Sequence, residues 1–192
     1  SSIGFEDGTP HLDKIGGGLF GYRGQTDGVY PDAKRFFEAV DGRGPCNIAV
    51  LAGHCSARAS VAGDANRRLT PEEEARMLGI LEENLRQGAA GVSLGLMYNP
   101  GMFADEEEIR KVVELCVRYD KPLTVHPRAE SKVSMAYPQL LGRSHLLRAM
   151  DELARCAKGT NLKLQCSHLI FVGRGTFADK AEAIAIIEKM RA

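Results

Sequence analysis

From residue 46 onward, short β-branched apolar runs alternate with segments of helical period, and this alternation leaves few folds open. The runs are CNIAVLAG (46–53), GAAGVSLGL (88–96), KPLTVH (121–126) and NLKLQCSH (161–168). Each is nearly continuous in apolar residues, the pattern of a strand covered on both faces of a parallel sheet. Strand, helix, strand with short connections implies right-handed crossovers and an α/β architecture. An open doubly wound sheet and a closed barrel both satisfy the pattern. Four such units are about half of an eightfold (β/α) barrel, which runs to roughly 250 residues. A barrel therefore requires strands beyond the 192 residues of this chain.

The helices carry their own punctuation. Thr70 is placed to cap one, with Pro71 at its first position, Glu73 completing a capping box and Gly88 ending it. Asp105 and Glu108 repeat the device for a second helix reaching Tyr119, and two more are predicted over Ser144–Ala157 and Lys180–Arg191. Residues 1–45 read differently, as an irregular Gly-rich segment (IGGGLFGYRGQTDG) with one helix over Pro31–Val40, ahead of a catalytic segment over residues 46–192.

Composition narrows the partners. With 25 basic and 25 acidic side chains the chain has no field to draw in nucleic acid or an anionic membrane, so a small-molecule substrate is expected. Cys46, Cys55, Cys116, Cys156 and Cys166 form no CxxC pair and are odd in number, which points to reduced thiols in a cytoplasmic setting. No apolar stretch approaches the roughly 18 residues of a membrane span, and SSIGFEDGTP has no signal-peptide character.

In a parallel α/β fold the chemistry gathers at the C-terminal ends of the strands. Here those ends read Gly53-His54-Cys55, Leu96-Met97-Tyr98, His126-Pro127-Arg128 and Ser167-His168. Taken singly, a histidine there is more often a hydrogen-bonded structural residue, a tyrosine a packing residue, and Arg128 with Glu130 a surface ion pair. Their convergence on one face favours a site. Neutral imidazole suits zinc or a similar divalent metal, and two histidines begin such a site without completing it. By contrast, Gly173-Arg174-Gly175 reads as a turn, His145 as a structural residue within a helix, and His11 carries no signal.

The runs GHCSARASVAG, LTPEEEARMLGILEENLRQGAAGVSLGLMYNPGMFADEEEI, TVHPRAES and LQCSHL, over about residues 46–172, resemble the N-acyl-D-amino-acid deacylase (D-aminoacylase) branch of the amidohydrolase superfamily. That branch shows, in order, a GHG-x-x-R turn, a GA-x-G-x-S-x-GL-x-Y-x-PG segment, an H-x-R-x-E strand end and an SHL strand end. SSIGF resembles the tail of another of its strand-end motifs. The resemblance implies part of a TIM-like (β/α)8 metal-dependent hydrolase barrel, roughly strands 3 to 6 with their helices. It implies His126 and His168 as zinc ligands, with Tyr98, Arg128, Glu130, His54 and Arg58 around the substrate. The implied reaction is hydrolysis of an amide bond of the N-acyl-D-amino acid type.

The departures are equally specific. The family's first-strand HxH pair is not in this chain, its cysteine ligand is not visible, and its catalytic aspartate would lie beyond Ala192. Cys55 stands at a family glycine, Ile170 stands where a basic residue is common, and the interval from His126 to His168 is long. The expectation is a chain that holds part of an active site, is inactive alone and self-associates through exposed barrel edges. A dihydroorotase-like or hydantoinase-like cyclic amidase is the alternative within the superfamily, although GVSLGL offers no lysine to carboxylate. A non-catalytic α/β binding module is the alternative outside it.

Overall fold

The apolar runs do pair side by side. In a computed structural model, which describes residues 2–3, 30–45, 47–63, 65–138 and 141–191, they form strands β2 (Leu51–Gly53), β3 (Gly91–Gly95), β4 (Leu123–His126) and β5 (Leu164–Cys166). Ser2–Ile3 adds a short β1 against β2, so the sheet reaches into the amino-terminal segment ahead of residue 46. The spatial order is β1-β2-β3-β4-β5 and every pair is parallel. A doubly wound sheet needs a point where the strand order reverses. Here the order never reverses, and same-handed crossovers then place the helices on one face, as in a (β/α) barrel wall.

Six helices accompany the strands among the described residues: α1 (Ala33–Val40), α2 (His54–Ala62), α3 (Pro71–Arg86), α4 (Glu106–Arg118), α5 (His145–Ala157) and α6 (Lys180–Arg191). At α3 the capping box forms as its sequence implies. The Thr70 hydroxyl accepts from the Glu73 amide at 3.3 Å, and the Glu73 carboxylate accepts from the Thr70 amide at 2.8 Å. At α4 only half of it forms. Asp105 accepts from the Glu108 amide at 2.9 Å, but the Glu108 side chain turns inward instead of back to the cap. Helix α2 begins directly at the end of β2, where the sequence showed only a turn motif.

Met77, Leu81 and Leu85 on α3 share one face at intervals of four. They join Ile109, Val112, Val113 and Cys116 of α4 in a core over Ala52, Val92, Leu94, Leu123 and Val125 of the sheet. The strands are less uniformly apolar than expected. Ser93, Thr124 and Gln165 lie side by side in register on the alternate positions and are partly or fully exposed. Successive strand residues point to opposite faces, so the face away from the helices is polar. No helix among the described residues is long and apolar enough to cross a membrane.

Candidate active site

His126 closes β4, and His168 follows β5 by two residues. Because β4 and β5 are adjacent and parallel, both imidazoles emerge at the same end of the sheet, with ring centroids 5.4 Å apart. His168 holds a left-handed backbone, φ +55°, which is costly for a residue with a Cβ. Strain of this kind is tolerated where surrounding structure enforces it, often at functional sites.

The Nδ1 of His126 lies 3.2 Å from the Pro127 carbonyl oxygen, and its Nε2 faces Glu130. Glu130 Oε1 lies 3.5 Å from that nitrogen, is buried, and has no hydrogen-bond partner. Burial pushes the Glu130 carboxyl up, against the pull of His126 and His168. His126 Nε2 and the Glu130 carboxyl thus face each other at 3.5 Å, a pairing that either a proton or a cation satisfies. The two imidazoles at one end of the sheet are donors of the kind a divalent metal takes. No set of three ligand side chains closes around a metal position among the described residues.

Tyr98 stands edge-on to His126, with centroids 4.8 Å apart. Burial, then the Glu130 and Cys55 charges, push its phenol up. It is carried by the loop from β3 to α4, which crosses close over the strand end. A Cβ on Gly101 would sit 2.5 Å from the Gly95 carbonyl oxygen and 2.6 Å from Cys55 Sγ, so only glycine fits there. Beside this loop lies a cleft of about 230 Å³ lined by Leu96, Met97, Met102, Met135 and Val172, with Arg128 and Glu130 at its edge.

The structure brings His126, His168, Glu130 and Tyr98 together. It places the other three expected residues in buried ion pairs. The Arg128 guanidinium holds both oxygens of Glu152 at 2.9–3.1 Å and donates to the Met102 and Ala104 carbonyls at 2.6 and 2.7 Å. Its two-point contact with a carboxylate is thus made with Glu152. His54 and Arg58 are both fully buried, and both bond Glu108 Oε1, at 2.7 and 3.0 Å. Neither faces the cleft beside His126. Glu108 and Glu152 were not legible as site partners, because each sits in an acidic or amphipathic helix where a carboxylate ordinarily faces water.

The buried pair sets a pH dependence. Burial lowers the His54 pKa, yet the contacts with Cys55 and Glu108 outweigh it and carry the imidazole up to about 9. An unfolded histidine titrates near 6.5, so this contribution is complete below about pH 6.5 and is lost as pH rises through about 9. Glu108, held below the ordinary carboxylate range by His54 and Arg58 despite burial, gives the opposite limb, lost on acidification. Urea unfolding at pH 5.5, 7 and 9 is expected to show stability falling across the upper interval in wild type and not in His54→Asn. An equal alkaline loss in both would contradict the assignment.

Cys55 shares this environment. Burial pushes its thiol up and the neighbouring imidazole more than reverses that, leaving it below the ordinary value. Burial alone carries Cys116 up to about 12, and Cys156 and Cys166 stand at about 11. Iodoacetamide at pH 7.5 is expected to label Cys55 before these three, since the thiolate is the nucleophile. Uniform labelling by peptide mass mapping would refute this order.

A parallel sheet in strict sequential order, with imidazoles at the C-terminal ends of neighbouring strands, defines part of a TIM-like (β/α) barrel wall. No family model matches the chain. It is 30% identical over 167 residues to a D-aminoacylase of Alcaligenes xylosoxydans xylosoxydans, covering 87% of this chain and 31% of that protein. A crystallographic study of the binuclear metal centre of D-aminoacylase superposes with a TM-score of 0.74 at 25% identity, over 86% of this chain and 33% of that one. An N-acyl-D-glutamate deacylase from Bordetella bronchiseptica, complexed with zinc and a phosphonate inhibitor, shares the fold at a TM-score of 0.72 and 23% identity, over 87% and 33%. The chain is similar to D-aminoacylase and to the N-acyl-D-glutamate and N-acyl-D-aspartate deacylases of Alcaligenes xylosoxydans xylosoxydans, and spans about a third of their length.

Proposed function

We propose that this chain carries one side of the active site of a zinc-dependent hydrolase that cleaves the amide bond of N-acyl-D-amino acids. The observation that carries the reading is the facing pair His126 and His168 with the orphaned Glu130 oxygen between neighbouring strand ends. Homology to enzymes of that activity supports the substrate class. When bound, zinc would polarise the scissile carbonyl and lower the pKa of a coordinated water. His126 and His168 would hold it, each presenting a ring nitrogen from a rigid strand end.

Other residues of this chain would contribute to the remaining steps. Glu130, buried beside His126 and with no hydrogen bond to its Oε1, is placed to ligate or to hold a proton beside the reacting carbonyl. Tyr98, with a raised pKa, keeps its proton at neutral pH and can donate to oxygen as negative charge develops there. Leu96, Met97, Met102 and Met135 make the adjoining cleft apolar and adaptable, which supports an apolar side chain or acyl group in that position. Arg128 acts by holding the cleft wall together through Glu152.

The test is hydrolysis by the full-length, zinc-loaded protein of matched N-acetyl-D- and N-acetyl-L-amino acids, with dihydroorotate and hydantoin as comparison substrates. Turnover of D-configured acyl amino acids over their L-forms is expected. Turnover of the cyclic amides alone would replace the proposed activity.

A further inference from the structure

The mechanism above leaves the most deeply buried polar cluster without a task. His54 and Arg58, both fully buried on α2, converge on one oxygen of Glu108, which is itself 3% exposed. Burying two cations and a carboxylate is costly, and removing one partner strands the others. Apolar residues would fill the same volume more cheaply. The cluster therefore invites the question of what it holds in place.

Arg58 supplies the answer through its remaining hydrogen bonds. While Nε is committed to Glu108, Nη1 donates to the Pro100 carbonyl at 3.1 Å and Nη2 donates to the Arg67 carbonyl at 2.8 Å. Pro100 lies in the crossing loop, two residues after Tyr98. The Tyr98 carbonyl in turn accepts from the Met102 amide at 2.8 Å, and the Pro100 carbonyl also accepts from the Phe103 amide. On its other side the same loop is held by Arg128 through the Met102 and Ala104 carbonyls. Two buried guanidinium groups, each fixed by a glutamate from a different helix, thus grip one short loop at three of its carbonyls. The loop's outward product is the Tyr98 ring set edge-on against His126.

We propose that Glu108, His54 and Arg58 are positioning residues: they lock the 96–104 loop so that Tyr98 is held over His126. The catalytic consequence rests on the proposed hydrolase activity; the positioning itself does not. His54 keeps Glu108 oriented, Glu108 keeps the Arg58 fork planar to the loop, and Arg58 fixes the Pro100 carbonyl. A lysine in place of Arg58 cannot serve three acceptors in one plane. A displacement of about 1 Å at a reacting group is enough to cost roughly 100-fold in rate.

The experiment uses the full-length protein carrying zinc and 13C-labelled histidine. The Tyr98 ring current shifts the His126 ring protons, and the size of that shift is read as the difference from Tyr98→Leu. Glu108→Ala and Arg58→Lys are expected to lose more than half of this difference, with the His168 signal and zinc content unchanged. Glu108→Gln, which retains an acceptor oxygen, is expected to keep the larger part. In Glu108→Ala and Arg58→Lys kcat for the D-substrate is expected to fall about tenfold or more, with KM changed less than twofold.

A measurement on the unaltered protein covers the case in which variants unfold. The amides of Met102, Phe103 and Ala104 are expected to exchange with solvent as slowly as those of β3 and β4. Exchange at the rate of an open loop, or an unchanged His126 shift in folded Glu108→Ala or Arg58→Lys, overturns the proposal. Full ring-current and exchange behaviour in a protein without deacylase activity would remove the reaction and leave the positioning standing.

Discussion

Replacing His126 by alanine, or His168 by asparagine, is expected to strip zinc from the full-length protein and to lower hydrolysis of its D-substrate more than about 100-fold. Residues that merely orient a metal ligand cost 10- to 100-fold when removed, so loss of the ligand itself must exceed that. The fold should survive, because β4 and β5 are held by Leu123 and Val125 and the helix layer rather than by the imidazoles. Asparagine is the informative choice at His168, since it tolerates the left-handed backbone found there. Metal content by mass spectrometry and the far-ultraviolet melting curve read the two effects separately. Stoichiometric metal after loss of both side chains, or undiminished activity without metal, would end the zinc reading. Removing zinc from the wild type with a chelator should reproduce the loss, and adding it back should restore activity.

The second large effect is on stability. Arg128→Met is expected to cost about 3–5 kcal/mol, because it leaves the Glu152 carboxylate, only 6% exposed, without its ion-pair partner and frees the Met102 and Ala104 carbonyls. Tyr137 cannot compensate, since its hydroxyl donates a single bond of 3.3 Å to Glu152. Arg128→Met combined with Glu152→Leu should recover a large part of the loss, since an apolar pair avoids the stranded charge. The two residues are in contact, so strong non-additivity is the diagnostic. Urea midpoints for the two singles and the double decide it. Additive losses would show that the pair is worth little, and would free Arg128 to meet a substrate carboxylate.

Much of the scaffold can be read from local chemistry. Thr70, Pro71 and Glu73 announce α3 because every group involved lies within one turn of the chain, and the structure shows both capping bonds. Ser144 likewise opens α5 through its hydroxyl, which accepts from the Leu147 amide. The strand runs are legible as apolar segments, but their inner face is not. In VSL, LTV and LQC the central polar residue was absorbed into an apolar average, whereas the period of two along a strand turns Ser93, Thr124 and Gln165 to one side. The pairing of His126 with His168 was legible for a different reason. Adjacent parallel strands carry their ends to the same edge whatever lies between them.

What sequence by itself determined is therefore what depends on neighbours in the chain or on a repeated topology: the α/β alternation, the caps, and two histidines at one end of the sheet. Tertiary structure alone decided between barrel wall and doubly wound sheet, because only the strand order distinguishes them. It also decided the roles of the charges. Glu108 stands at a helix position where a carboxylate ordinarily completes a cap, and is instead drawn inward by His54 and Arg58, 54 and 50 residues away. Arg128 lies two residues past His126 and was expected around the substrate, and its guanidinium is committed to Glu152, 24 residues on. A charged side chain is long enough to reach either water or a buried partner. Which it reaches depends on whether an opposite charge has been folded within about 3 Å, and that is set by packing between distant segments.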